Sequence, residues 1–206
     1  MNEFDNKAAE WDMNPMHWER SVAIANEIKM RIPLTREMTA LEYGAGTGIT
    51  SFLLKDLLKE ITMMDNSTQM INVILGKISE TKSDNLKALM FDLESSDYSE
   101  KKFDFIFTQM VLHHVGNIDN ILNRFYNLLN PGGYLAIADL YKEDGSFHGD
   151  GFQGHNGFDI AEFSDKIAQV DLKTLSHGEC FVINRKISET ETREFPVFLL
   201  VAKRTF

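Results

Sequence analysis

Thr39-Ala40-Leu41-Glu42-Tyr43 runs straight into Gly44-Ala45-Gly46-Thr47-Gly48, and Ile49, Phe52, Leu53 and Leu57 follow at helical spacing. The first stretch alternates and carries β-favouring residues, the glycines make a turn, and the last set forms the apolar stripe of a helix. Strand, glycine turn and helix in that order are the opening unit of a βαβ fold. The same alternation continues downstream. Ile61 to Asp65 reads as strand, Ile71, Ile74, Leu75 and Ile78 share one helix face, and Leu86 to Phe91 reads as strand again. Phe103 to Met110 is apolar almost throughout, as expected of a strand covered on both faces. Ile118, Ile121, Leu122, Phe125, Leu128 and Leu129 then define a helix, Asn130-Pro131-Gly132-Gly133 stops it, and Tyr134 to Leu140 is a fifth strand.

Parallel neighbours need crossovers, and the crossover helices must bury their stripes on the sheet. The expected class is therefore α/β, a doubly wound and mostly parallel sheet. Beyond Leu140 come a glycine-rich stretch from Tyr141 to Phe158, a helix from Asp159 to Val170, and two apolar runs, Leu172 to Ile183 and Phe195 to Lys203. The last two should pair as a hairpin and add an antiparallel strand at one edge. Upstream, Pro15 can open a helix in which Trp18, Val22, Ala25 and Ile32 recur on one face before Pro33.

With 206 residues and 43% apolar content the chain suits a single domain, residues 1–206, in which 1–33 is a helical extension or lid. Its 31 acidic and 21 basic residues leave a net charge of -10, which repels nucleic-acid backbones and anionic membranes. Neither is an expected partner. The single cysteine, Cys180, cannot form an intrachain disulfide, and the start lacks a signal-type apolar stretch, so cytoplasm is the expected location.

In open parallel sheets ligands sit beyond the carboxyl ends of the strands, so residues just after each strand matter most. The glycine spacing is GxGxG instead of the GxGxxG of dinucleotide sites, and Glu42 places a carboxylate next to the turn. A carboxylate there opposes a diphosphate and favours a ligand with positive charge, such as an ammonium or sulfonium. Asp65 ends the second strand 21 residues after Gly44, where an acid can accept both hydroxyls of a ribose. Asp92, in Phe91-Asp92-Leu93, can accept from an exocyclic amine.

These residues, together with Asn66-Ser67 after Asp65, Phe103-Asp104-Phe105-Ile106-Phe107, Leu112-His113-His114-Val115 and Asn130-Pro131-Gly132-Gly133, resemble the class I S-adenosylmethionine-dependent methyltransferases, in particular the small-molecule branch of ubiquinone/menaquinone type. The resemblance covers about residues 39–140. It implies a seven-stranded sheet with an antiparallel last strand and S-adenosylmethionine as cofactor. It also implies that Glu42, Gly44, Ala45, Gly46 and Gly48 line the methionine part, Asp65 with Asn66 the ribose, Asp92 with Leu93 the adenine, and Gln109 the far wall.

The acceptor is expected to be a small molecule. No Asn/Asp-Pro-Pro-Tyr stands at Thr108-Gln109-Met110 and no proline precedes Cys180, so the chain does not resemble the nucleobase enzymes. His148 and His155, in the glycine-rich stretch after the fifth strand, are the candidates to contact the acceptor and take its proton. No metal is expected, since His148, Asp150 and His155 lack a recognised ligand spacing. His113 and His114 remain open between wall and catalytic roles. Two other functions compete: an NAD(P)-dependent oxidoreductase, and a methyltransferase-like subunit that binds the cofactor without catalysis.

Overall fold

The computed structural model describes residues 4–205. Seven strands form one sheet: β1 (Thr39–Tyr43), β2 (Glu60–Asp65), β3 (Leu86–Met90), β4 (Phe103–Gln109), β5 (Leu129–Leu140), β6 (Leu172–Lys186) and β7 (Thr192–Arg204). Their order is β3-β2-β1-β4-β5-β7-β6. The strands from β3 to β5 pair in parallel, while β7 runs antiparallel to both β5 and β6. The strand order reverses between β1 and β4, which puts the switch point of the doubly wound sheet at Tyr43 and Gln109.

Helices α1 (Pro15–Arg31), α2 (Ile49–Leu54) and α3 (Thr68–Thr81) accompany the first strands, and α4 (Ile118–Leu128) and α5 (Ile160–Gln169) the later ones. Two buried clusters lie on opposite faces of the sheet. One joins Ile24, Ile28, Leu54 and Ile74 to Phe105 and Phe107; the other joins Ile121, Phe125, Phe163 and Ile167 to Leu41 and Ile106. Successive β4 side chains therefore enter different cores, which is why that strand reads as continuously apolar.

Several local expectations change. The predicted stripe of α1 holds only in part: Ala25 and Ile32 are buried, but Trp18 is 52% exposed, and Arg20, Ser21, Ile24 and Ile28 make up the rest of the buried face. Two polar residues sit on the inner face because Ser21 meets the Gln109 amide across 3.0 Å and Arg20 faces a cavity. Apolar periodicity cannot register a helix face that is buried but polar. The helix after the glycine turn stops at Leu54 and tightens to a 3-10 turn over Lys55–Leu57, leaving Leu57 38% exposed. Asn130–Gly133 does follow α4 directly, but as a bulge inside β5: Phe103 pairs with Leu129 and Phe105 already with Tyr134. Asp104 holds the bulge by accepting from Asn130 Nδ2 at 2.7 Å while its other oxygen accepts from Thr39 N at 2.8 Å. The third strand ends at Met90, one residue early.

Candidate active site

A cavity of about 610 Å³ opens along the carboxyl edge of β1 to β5. The glycine turn forms one wall. Gly46 has φ +55°, and a Cβ added to it would find nothing closer than Trp11 Nε1 at 4.0 Å, so a side chain there would project into the cavity. Its amide donates to Asp65 Oδ2 at 2.7 Å, and Ser67 N donates to Asp65 Oδ1 at 2.8 Å. Both carboxylate oxygens are thereby aimed and still have lone pairs for a ligand. Burial raises the Asp65 pKa, against the pull of these amides. Asp92 is held by a similar turn, its Oδ1 accepting from Glu94 N at 2.8 Å. Gly44, Ala45, Gly46, Asp65, Asn66, Asp92 and Gln109 all line this cavity.

Three residues expected here stand behind the wall. Gly48 caps α2 at φ +77°, where a Cβ would lie 2.7 Å from Met63 Sδ, so it serves packing. Leu93 is fully buried in the core on the α4 side. Glu42 has no exposed surface: Oε2 accepts from Ser51 Oγ and from Ser51 N, and Oε1 has no hydrogen-bond partner among the described residues. Burial pushes its pKa up to about 8, so it is largely protonated at neutral pH. A neutral acid behind the turn replaces the expected carboxylate beside it.

At the other end, β4 stops at Gln109, Met110 takes a left-handed φ of 55°, and the chain tightens into the 3-10 turn Leu112–His114. His113 Nδ1 meets Asp139 Oδ1 at 2.6 Å, and His113 N donates to Asp139 Oδ2 at 3.3 Å. Asp139 is buried in β5; burial alone would raise its pKa, but the His113 contacts hold it below the ordinary value. His148 comes from the loop after β5 and stacks on Phe152 with ring centres 3.8 Å apart. Burial and the neighbouring imidazole of His113 lower both His114 and His148 to about 4, so both are neutral at pH 7.

His155 does not reach the cavity. Its Nε2 lies 3.0 Å from Val115 O and its amide donates to His113 O at 2.7 Å, while a Cβ on neighbouring Gly154 would fall 2.1 Å from that carbonyl. The residue clips the loop to the turn that carries His113. Phe4, Trp11 and His17 add an N-terminal wall, with His17 Nδ1 2.9 Å from Trp11 O. This wall is anchored across the glycine turn: Thr47 Oγ1 donates to Asp12 at 2.5 Å, and Lys77 Nζ donates to Asp12 at 2.8 Å. Arg20 and Arg185 complete the end opposite the glycines, Arg185 lying over the Phe147 ring at 4.8 Å. Sequence reasoning missed Arg20, Arg185 and Asp139; only the last carries a signal, an acid inside an apolar strand.

A strand-order reversal, a glycine turn and acids after β2 and β3 border one cavity at the switch point of a doubly wound sheet, the place where such folds bind ligands. Residues 34–180 match the family described as Methyltransferase domain, and the chain belongs to that family. It is 28% identical over 137 residues to an uncharacterized methyltransferase of Schizosaccharomyces pombe, covering 59% of this chain and 48% of that one. Over 105 residues it is 30% identical to malonyl-acyl-carrier-protein O-methyltransferase 1 of Ilyobacter polytropus, covering 50% of this chain and 38% of the other. The chain thus spans about half the length of these relatives or less. Among solved structures it resembles the methyltransferase-fold subunit of a complex with the Trm112 methyltransferase activator from Haloferax volcanii, with TM-score 0.81, 19% identity, and coverage of 100% and 99%. That likeness bears on the fold. Among the described residues no helix is long and apolar enough to cross a membrane.

Proposed function

We propose that this chain is an S-adenosylmethionine-dependent methyltransferase of the ubiquinone/menaquinone-type branch, acting on a small-molecule acceptor in the cytoplasm as a single domain. The observation that carries the reading is one continuous cavity with two chemically different ends. The glycine end offers backbone and carboxylates; the far end offers imidazoles, guanidiniums and phenyl rings. The methyl donor fits the glycine end, since Gly46 leaves open the space that a Cβ would fill and Asp65 presents two oriented oxygens toward it.

In this reading Gly44, Ala45 and Gly46 bracket the methionine part, Asp65 and Asn66 the ribose, Asp92 the adenine amine, and Gln109 the far wall. Glu42, Gly48 and Leu93 support these residues from behind. The bound donor supplies an already activated methyl group, so the chain's task is positioning, an effect of roughly 7–11 kcal/mol at most. Ser21 holds the Gln109 amide and fixes the wall between the two ends. His148 contacts the acceptor, while His155 only positions the loop. Within residues 1–33, the stretch from Phe4 to His17, with Trp11 and His17 over the cavity, acts as the lid that excludes water, while the rest of α1 packs on the core.

Calorimetric titration with S-adenosylmethionine and with NAD tests donor choice, and incubation with labelled donor and a fractionated lysate tests transfer. Binding of the methyl donor alone, followed by label in a small molecule, is the expected result. A nicotinamide preference would overturn the cofactor, and donor binding without transfer in any fraction would favour the non-catalytic subunit.

A further inference from the structure

The cluster of three imidazoles at the acceptor end is more than a polar wall. Ligand nitrogens of His113, His114 and His148 lie within 4.8 Å of one another. Their ring centres are separated by 4.3 Å, 5.1 Å and 5.2 Å. With Zn–N bonds of about 2.0–2.1 Å in a tetrahedral site, the centres of two ligating imidazoles stand roughly 5 Å apart. Two of the three ring separations match that spacing and the His113–His114 pair is closer, so side-chain rotation has to bring the three nitrogens to one point.

Two further observations bear on the same point. His113 has Nδ1 engaged by buried Asp139 at 2.6 Å, which leaves Nε2 as its ligand atom and reproduces the carboxylate–histidine pairing that orients metal-bound imidazoles. His148 Nε2 is buried without a hydrogen-bond partner among the described residues, a costly arrangement for a polar atom unless something else occupies its lone pair or takes its proton. Stacking on Phe152 holds that ring in place.

From this we infer a transition-metal site of three histidines, His113, His114 and His148, with Asp139 orienting His113 from behind and a remaining coordination position open to the cavity. The donor set selects the ion. All three ligands are imidazole nitrogens, and the set offers a metal no oxygen ligand. Mg²⁺ and Ca²⁺, which need oxygen ligands, are excluded, and Zn²⁺, Co²⁺ or Ni²⁺ fit. Three protein ligands with an open position is the arrangement of catalytic rather than structural zinc. An oxygen or nitrogen atom of the acceptor would occupy that position, which orients it toward the donor end. That role rests on the methyl-transfer reading above, but the site itself does not.

The test is binding of Zn²⁺ to the untagged, chelator-treated chain, measured calorimetrically with no methyl donor present, and the visible spectrum of the Co²⁺-loaded protein. One equivalent should bind, Mg²⁺ should not compete, and Co²⁺ should show the intense bands of four-coordinate nitrogen ligation. His114→Ala and His148→Ala should each weaken Zn²⁺ by about 100-fold, at or beyond the upper end of the roughly 10–100-fold seen on losing an outer-shell partner. His177→Ala, at an exposed position on β6, should bind as the parent does. Because His113 is buried against Asp139, its removal threatens folding, and the two other variants decide the matter. Absence of stoichiometric Zn²⁺ binding, or equal affinity in the parent and in folded His114→Ala and His148→Ala, overturns the site. Metal binding without transfer would leave the site standing and remove only its role.

Discussion

Replacing Glu42 by glutamine should flatten the pH dependence of stability. The side chain is fully buried, among the described residues only Ser51 bonds it, and its pKa is carried from 4.5 to about 8, chiefly by loss of solvent. Between those values the unfolded chain has released the proton and the folded chain keeps it, so folding takes up a proton and stability falls as pH rises. At about 1.36 kcal/mol per pH unit the full loss is on the order of 4–5 kcal/mol by pH 8, and about 3 kcal/mol is already lost at pH 7. Above pH 8 both states are ionised and the loss levels off. Glutamine keeps the shape and can still meet Ser51 but has no proton to exchange. Urea denaturation of parent and Glu42→Gln between pH 5 and 9 measures the difference directly, since all other titrating groups are common to both. The two stability curves should diverge across this range, with the variant the more stable at high pH. Parallel curves would refute the argument, because they would mean that Glu42 is ionised in the folded chain and has found a partner for its second oxygen.

Asp65→Ala should weaken S-adenosylmethionine binding by about 1.5–3 kcal/mol, the scale for a hydrogen bond to a charged group, as read by calorimetry on a variant whose folding is verified. His148→Ala should lower methyl transfer while donor affinity stays unchanged; weaker donor binding would move His148 to the wrong end of the cavity. Asp139→Asn should cost about 1–3 kcal/mol at pH 7 by disturbing the buried His113 pair. The Asp139 pKa is depressed on folding, so its contribution is present above the unfolded value of 3.8 and is lost as pH falls through the folded one. The difference between parent and Asp139→Asn in denaturant midpoint should therefore shrink below pH 4, and a constant difference would count against a carboxylate at Asp139 held by His113.

The glycine end of the cavity was legible because each of its signals is local. A strand that ends in Gly44-Ala45-Gly46 must turn where a side chain would intrude, and Asp65 and Asp92 follow their strands by fixed chain geometry, so position along the sequence specifies position at the sheet edge. The alternation of strands and helices likewise implied the parallel sheet, and the two final apolar runs its antiparallel edge. The far end of the cavity was not legible for the opposite reason. His113, Asp139 and His148 come from β4 and β5 and the segments after them, and they meet only because those strands lie side by side in register. His148 and His155 are equivalent as sequence, seven residues apart in one glycine-rich stretch. Close approach of Gly154 to the His113 carbonyl turns one imidazole onto Val115 and leaves the other in the cavity. The buried face of α1 carries Ile24, Ala25 and Ile28 into the core, while Arg20 on that face reaches the cavity and Ser21 meets the Gln109 amide, and Glu42 loses its charge because α2 closes over it. The sequence by itself determined the sheet, the glycine turn and the acids at its edge; which polar groups are desolvated, and which of them converge, was decided by tertiary packing, because desolvation depends on neighbours that are distant along the chain.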